Sequence, residues 1–187
     1  MKRRRAIFSI LVLGGGVAAT YTGFRIFNIY KKPDIAFLSK NSGLVEALAT
    51  TVIPQIEVLK IPVGETVSHL IINCLDRPEQ NNFINGLHEL QEYSNNHFSK
   101  NFVSLSKSDR IEVLNHFRIA GSNYSGILGK VKNKFAGRSF FRLLKDYTTI
   151  AFCTSEKGAT EALAYIHIPA RFNGCIPSEG MRAWATK

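Results

Sequence analysis

Beyond Pro33, apolar residues fall three and four positions apart and rarely alternate, the spacing of a buried helical face rather than of a strand. Leu44, Ala47, Leu48, Thr51 and Val52 form the first such stripe, with Asn41 and Ser42 as predicted caps and Ile53-Pro54 as its end. Gly64 to Leu75 places Val67, Leu70, Ile71, Cys74 and Leu75 on one side. Asp76-Arg77-Pro78-Glu79 predicts the start of a longer helix, with proline in the first turn and Phe83, Leu87 and Leu90 inward. Ser106 and Asp109 have the spacing of a capping box, Asp replacing Glu, ahead of Ile111, Leu114 and Phe117. The glycine-rich stretch from Gly121 to Gly137 predicts a loop. Ser139 to Phe152 then resumes as the most apolar helix, through Phe140, Leu143, Leu144, Tyr147 and Ile150. The fold class expected is all-α, a single helical domain over residues 33–187.

A short helix carrying Ala162 and Leu163 follows Gly158, and the tail, residues 164–187, then breaks the periodicity. Pro169, Gly174, Pro177 and Gly180 exclude a regular helix or a central strand there. Yet Tyr165, Ile166, Ile168, Phe172, Ile176, Met181 and Trp184 are more apolar than a disordered tail carries. Such a tail is expected to lie against an apolar surface, either the chain's own helices or another subunit.

Residues 1–32 are different again. Met1 to Arg5 is basic and Ala6 to Phe24 carries no charge, the layout of an export signal. Arg4-Arg5-Ala6-Ile7-Phe8 resembles a twin-arginine signal, with Arg3 where Ser or Thr is usual. Gly14, Gly15 and Gly16 weaken the apolar run, as such signals require. The twin-arginine route carries folded proteins, typically built around a cofactor. The alternative is an uncleaved anchor helix, because the uncharged run approaches the roughly 20 residues that span a bilayer. Both readings put the domain outside the cytoplasm.

The formal net charge of +10 does not argue for nucleic acid. Lys2, Arg3, Arg4, Arg5, Arg25, Lys31 and Lys32 all precede Pro33, where no acid occurs, and the remainder is close to neutral. It makes no electrostatic case for binding phosphate backbones.

Chemistry is sparse. No Cys-x-x-Cys-His, Gly-x-Gly-x-x-Gly after a strand, P-loop, His-x-x-x-His or Gly-x-Ser-x-Gly occurs, which excludes covalent c-type haem and a dinucleotide fold. His69, His88, His97, His116 and His167 are dispersed, and a hydrogen-bonded or solvated role is expected for each. Glu89 and Glu92 share a polar face, Asp146 stands singly near apolar neighbours, and Glu156 reads as a first-turn residue complementing a helix dipole. The expectation is that this chain has no catalytic, cofactor-binding or metal site of its own. Of the three cysteines, Cys74 and Cys153 fall on or beside apolar helix faces, and Cys175 lies in the irregular tail. An odd count in an oxidising compartment points to an intersubunit disulfide through Cys175. The alternatives are a free thiol, or a Cys74 to Cys153 bridge.

The carboxy-terminal third carries a resemblance. Phe140-Phe141-Arg142-Leu143-Leu144-Lys145, Thr154-Ser155-Glu156-x-Gly158-Ala159-Thr160, Pro169-Ala170-Arg171-Phe172-Asn173-Gly174-Cys175-Ile176-Pro177 and Arg182-Ala183-Trp184-Ala185 occur in order. With Ile53-Pro54 and Phe102-x-x-Leu105-Ser106, the series resembles the subunit 3 family of membrane-bound gluconate 2-dehydrogenase over residues 38–185. Ala170 and Cys153 depart from it, standing where the family usually has glycine and an aromatic.

The resemblance implies a periplasmic, membrane-associated complex. A large subunit holding FAD oxidises a sugar or sugar acid, a multihaem cytochrome c subunit passes the electrons to quinone, and this chain is the small partner. It implies that the small subunit carries the twin-arginine signal, escorts the folded flavin subunit through the twin-arginine translocase, and stays attached. Candidate anchors in the tail are Phe172, Ile176 and Trp184, with Cys175 beside them and Arg171 and Arg182 as polar clamps. Rival expectations are a subunit that contributes Glu156 or His167 to the substrate pocket, and a stand-alone membrane-tethered interaction domain.

Overall fold

The computed structural model describes residues 30–122, 137–165, 175, 180, 182 and 183. About 78% of these are helical and none lies in a strand, so the protein is all-α. The order is α1 (Ile35–Lys40), α2 (Ser42–Val52), α3 (Gln55–Leu59), α4 (Val63–Cys74), α5 (Arg77–Phe98), a 3₁₀ turn (Phe102–Ser104), α6 (Lys107–Ser122), α7 (Phe140–Thr154) and a π turn (Gly158–Ala162).

Local capping rules account for several starts. Asp76 accepts from Glu79 N–H at 3.1 Å with Pro78 in the first turn, which opens α5 where expected. Ser106 Oγ accepts from Asp109 N–H at 3.3 Å at the start of α6. Helix α4 has no cap of its own from Pro62; the carboxylate of Glu46, on α2, instead accepts from Gly64 N–H. Helix α1 was not anticipated. Asp34 caps it through Phe37 N–H at 3.0 Å, and the Asn41 side chain bonds back to Phe37 O rather than capping α2.

Helix α7 is central and packs on α2, α4, α5 and α6. It buries Phe140, Leu143, Leu144, Tyr147, Thr148, Ala151 and Phe152, and it meets Val45, Leu48, Val67, Ile71, Phe83, Leu87, Leu90 and Val113 in one core. Full burial of each such leucine stabilises the fold by about 2 kcal/mol.

Two faces are phased differently from the sequence expectation. Ile111 is exposed, and α6 turns Val113, Leu114 and the half-buried Phe117 inward. Arg110 takes the edge of that face because its guanidinium sits 5.8 Å from the Phe102 ring centroid and its stem can cover apolar surface. Ile150 is likewise exposed while Thr148 is fully buried. Cys74 is exposed at the end of α4 rather than on its apolar face, and helix α6 runs through Gly121 to Ser122, past the expected loop start.

Candidate functional site

Two arginines tie segments to the bundle over long sequence distances. The first precedes α7. Arg138 donates from Nε and Nη2 to the two carboxylate oxygens of Glu79, each at 2.8 Å, and its own N–H reaches Glu79 Oε1 at 3.1 Å. Its Nη1 lies 3.4 Å from Asp146 Oδ2, and Nη2 donates to the Tyr147 hydroxyl at 3.4 Å. Gly137 makes the approach possible: its φ is +73°, and a Cβ there would lie 2.8 Å from Glu79 Cγ. Hydrogen bonding from Arg138 holds the Glu79 carboxyl below the ordinary glutamate value, and Glu79 in turn raises the Arg138 guanidinium. The bidentate pair is half-buried and welds the start of α7 to the first turn of α5.

The second tie follows α7. Ser155 is extended, and its Oγ accepts from Gly158 N–H at 3.0 Å, reversing the chain. Gly158 lies so close to the end of α7 that a Cβ on it would sit 1.9 Å from the Phe152 carbonyl oxygen. Leu163 N–H then bonds to Gly158 O at 3.0 Å, the five-residue span of a π turn, a form that recurs at functional sites. Lys157 Nζ fastens the turn to Leu59 O at 3.1 Å.

Arg182 and Ala183 meet this turn. Ala164 N–H donates to Ala183 O at 2.8 Å, and Arg182 Nη1 donates to Glu161 O at 2.7 Å and Thr160 O at 3.4 Å.

Apolar side chains are exposed on neighbouring elements. Val58, on α3, is 77% exposed, Val103 49% and Ile111 53%. Lys107 joins α3 to α6 by donating to Glu57 at 2.8 Å, and Arg110 joins α6 to Val103 O. Beside Ile111 a groove of about 390 Å³ runs between α2, α6 and α7, lined by Val52, Ile53, Leu114, Phe141 and Lys145 among others.

The residues singled out from sequence are placed as follows. Arg4, Arg5, His167, Arg171, Phe172, Ile176 and Trp184 lie outside the described residues. Cys175 is exposed, and all three cysteines are unpaired within the chain, so no Cys74 to Cys153 bridge is present. Arg182 contacts its own chain. Asp146 does not stand alone but joins the Arg138 cluster, with Arg142 Nε at 3.8 Å. Glu156 is exposed in the first turn after Ser155. His88 stacks on Phe37 at 3.9 Å, and Tyr93 lies between His97 at 3.9 Å and His116 at 4.3 Å. Among the described residues no group of three His, Cys, Asp or Glu could hold a metal ion, and no helix is long and apolar enough to cross a membrane.

The Glu79–Arg138 pair was not read from the sequence. Glu79 was explained by the start of α5, and the partners are 59 positions apart.

The sequence matches the family model described as gluconate 2-dehydrogenase subunit 3 over residues 40–170. The chain belongs to that family. No curated protein and no solved structure matches it. The subunit 3 match takes in α2 to α7 and the whole π turn, and it stops short of Arg182. The family name is that of one subunit of a multi-subunit dehydrogenase, so the surfaces described above belong to a protein that works in an assembly.

Proposed function

We propose that this chain is the non-catalytic small subunit of a periplasmic, membrane-associated, flavin-dependent 2-dehydrogenase acting on gluconate or a related sugar or sugar acid. It escorts the folded flavin subunit through the twin-arginine translocase and stabilises it afterwards. FAD belongs to the large subunit and haem c to the cytochrome subunit in this reading. Membership of the subunit 3 family carries it.

Two features of the chain support the escort role. The leader has Arg4-Arg5 before a weakly apolar run, a signal suited to folded cargo. The tail pairs the apolar anchors Phe172, Ile176 and Trp184 with Arg171, and a stable subunit contact of ordinary size, about 1,200 to 2,000 Å² in total, centres on such aromatic and arginine groups. Val58 and Val103 offer apolar surface on the bundle itself.

The export claim is tested in the native host by Arg4→Lys together with Arg5→Lys. Sugar-acid dehydrogenase activity is expected to stay in the cytoplasmic fraction with this chain. Normal periplasmic activity in the double variant would remove the escort role.

A further inference from the structure

We propose that the groove between α2, α6 and α7 is a docking surface for a segment of the flavin subunit that carries a bulky apolar side chain beside a carboxylate. The proposal rests on the reading of the chain as a dehydrogenase subunit, and it adds a contact on the bundle to the one assigned to the tail.

The walls follow from helix geometry. Residues four apart on a helix stand one above the other, so each helix offers a ridge. On α7 the ridge is Phe141, Lys145 and Thr149; on α6 it is Ile111 and Asn115, with buried Leu114 beside them. Thr51, Val52 and Ile53, where α2 ends, complete the lining. From Phe141 to Thr149 the α7 ridge rises about 12 Å at 1.5 Å per residue, room for about two turns of a facing helix.

The polar groups decide the ligand. Both threonine hydroxyls are spent on their own helices, Thr51 on Ala47 O at 2.7 Å and Thr149 on Lys145 O at 2.8 Å. Asn115 Oδ1 accepts from Arg118 Nε at 3.1 Å. The groove is left with donors to offer, Lys145 Nζ and the Asn115 amide nitrogen. Among the described residues that line it Lys145 alone is charged, and it pairs with no described carboxylate. An apolar trough with an uncompensated ammonium on its wall complements an apolar group next to an anion.

A protein segment fits this surface better than a free fatty acid, because apolar surface continues past the groove. Ile111 on its rim is half-exposed, and so is Ile150, next to Thr149. A helix laid into an apolar groove is a recurrent mode of recognition. All the named lining residues fall within the family-matched residues 40–170.

For the test, tagged full-length chain is isolated from host membranes, and the flavin absorbance that accompanies it is followed through washing. Ile111→Asp and Lys145→Glu are each expected to retain about five- to tenfold less flavin than the parent, and Lys145→Arg about as much as the parent. Both replaced side chains are exposed, so thermal melts should match the parent; Ile111→Ser and Lys145→Gln stand in for a variant that melts early. Parental retention in both the Ile111 and the Lys145 variants overturns the groove and leaves the dehydrogenase-subunit reading intact. A parent that brings down no flavin protein removes that reading and the groove's partner together. Laurate binding to the purified chain that is lost in Lys145→Glu, with flavin retention unchanged, makes this a lipid site and also overturns the proposal.

Discussion

Arg138 and Arg182 do the same geometric job on either side of α7, and they differ in what they bond. Arg138 meets a carboxylate in a half-buried bidentate pair, supported by Asp146 and Tyr147. Arg182 meets two neutral carbonyls at the surface. The first arrangement leaves a charge stranded if it breaks, so it belongs to the stability of the bundle. The second leaves only carbonyls that water can serve, so it contributes little to the stability of the bundle. Two arginines with long-range partners thus differ in what their loss should cost the fold, because burial and partner charge differ.

The contrast is broken most severely at its foundation on the Arg182 side. Gly158→Ala drives a methyl group into the Phe152 carbonyl, a backbone atom that has little room to yield. A loss of about 3 kcal/mol in urea unfolding is expected, along with loss of Ala164 protection. A variant of parental stability would mean that the turn is not as close-packed as described.

On the other side, Arg138→Ala should cost about 2 kcal/mol, because Glu79 is left half-buried without its partner. For a chain of this length the melting temperature should fall by roughly 4–8 °C. The pH dependence sharpens the point. The Glu79 carboxyl is held below its ordinary value of 4.5, so its contribution is present above that pH and is lost as pH falls through the lowered folded value. Arg138→Ala should remove that part of the acid sensitivity. A parallel pH profile for parent and variant would show that the pair contributes nothing specific.

Arg182→Ala is expected to change global stability by less than about 1 kcal/mol while changing exchange at Ala164. A large drop in melting temperature would erase the distinction between the two arginines. The smallest effect is expected from Lys107→Ala. Its hydrogen bond lowers Glu57, but both side chains are exposed. Thermal melts at low and high salt should superimpose with the parent within error, as for most exposed ion pairs.

Sequence legibility follows the range of the interaction. Asp76 and Ser106 were readable as helix starts because a cap involves residues three apart, and the buried run Leu143, Leu144 and Tyr147 was readable from its period. Helix phase was less secure where a polar residue enters the buried face. Arg110 holds its guanidinium 5.8 Å from the Phe102 ring centroid, and Thr148 sits fully buried with its hydroxyl unpartnered, while Ile111 and Ile150 face outward. Short α1, at six residues, is too brief for its apolar run to show a helical period. The π turn was visible only as a short helix, because its five-residue span depends on how Gly158 meets Phe152 O. Neither arginine tie was legible, since each partner lies many turns away and its local sequence already had a sufficient explanation. Family membership was legible because several separated motifs occur in order, including the motif that forms the π turn.

Grip on a dehydrogenase by way of the tail is the central claim, and one comparison addresses it directly. Tagged full-length chain and a tagged chain ending at Ile168 are isolated from membranes of the native host, with helical circular dichroism melts confirming that both bundles fold. The full chain should bring down near-stoichiometric flavin protein with gluconate or sugar-acid dehydrogenase activity, and the shortened chain almost none. Equal activity with both, or none with the full chain, would contradict the account.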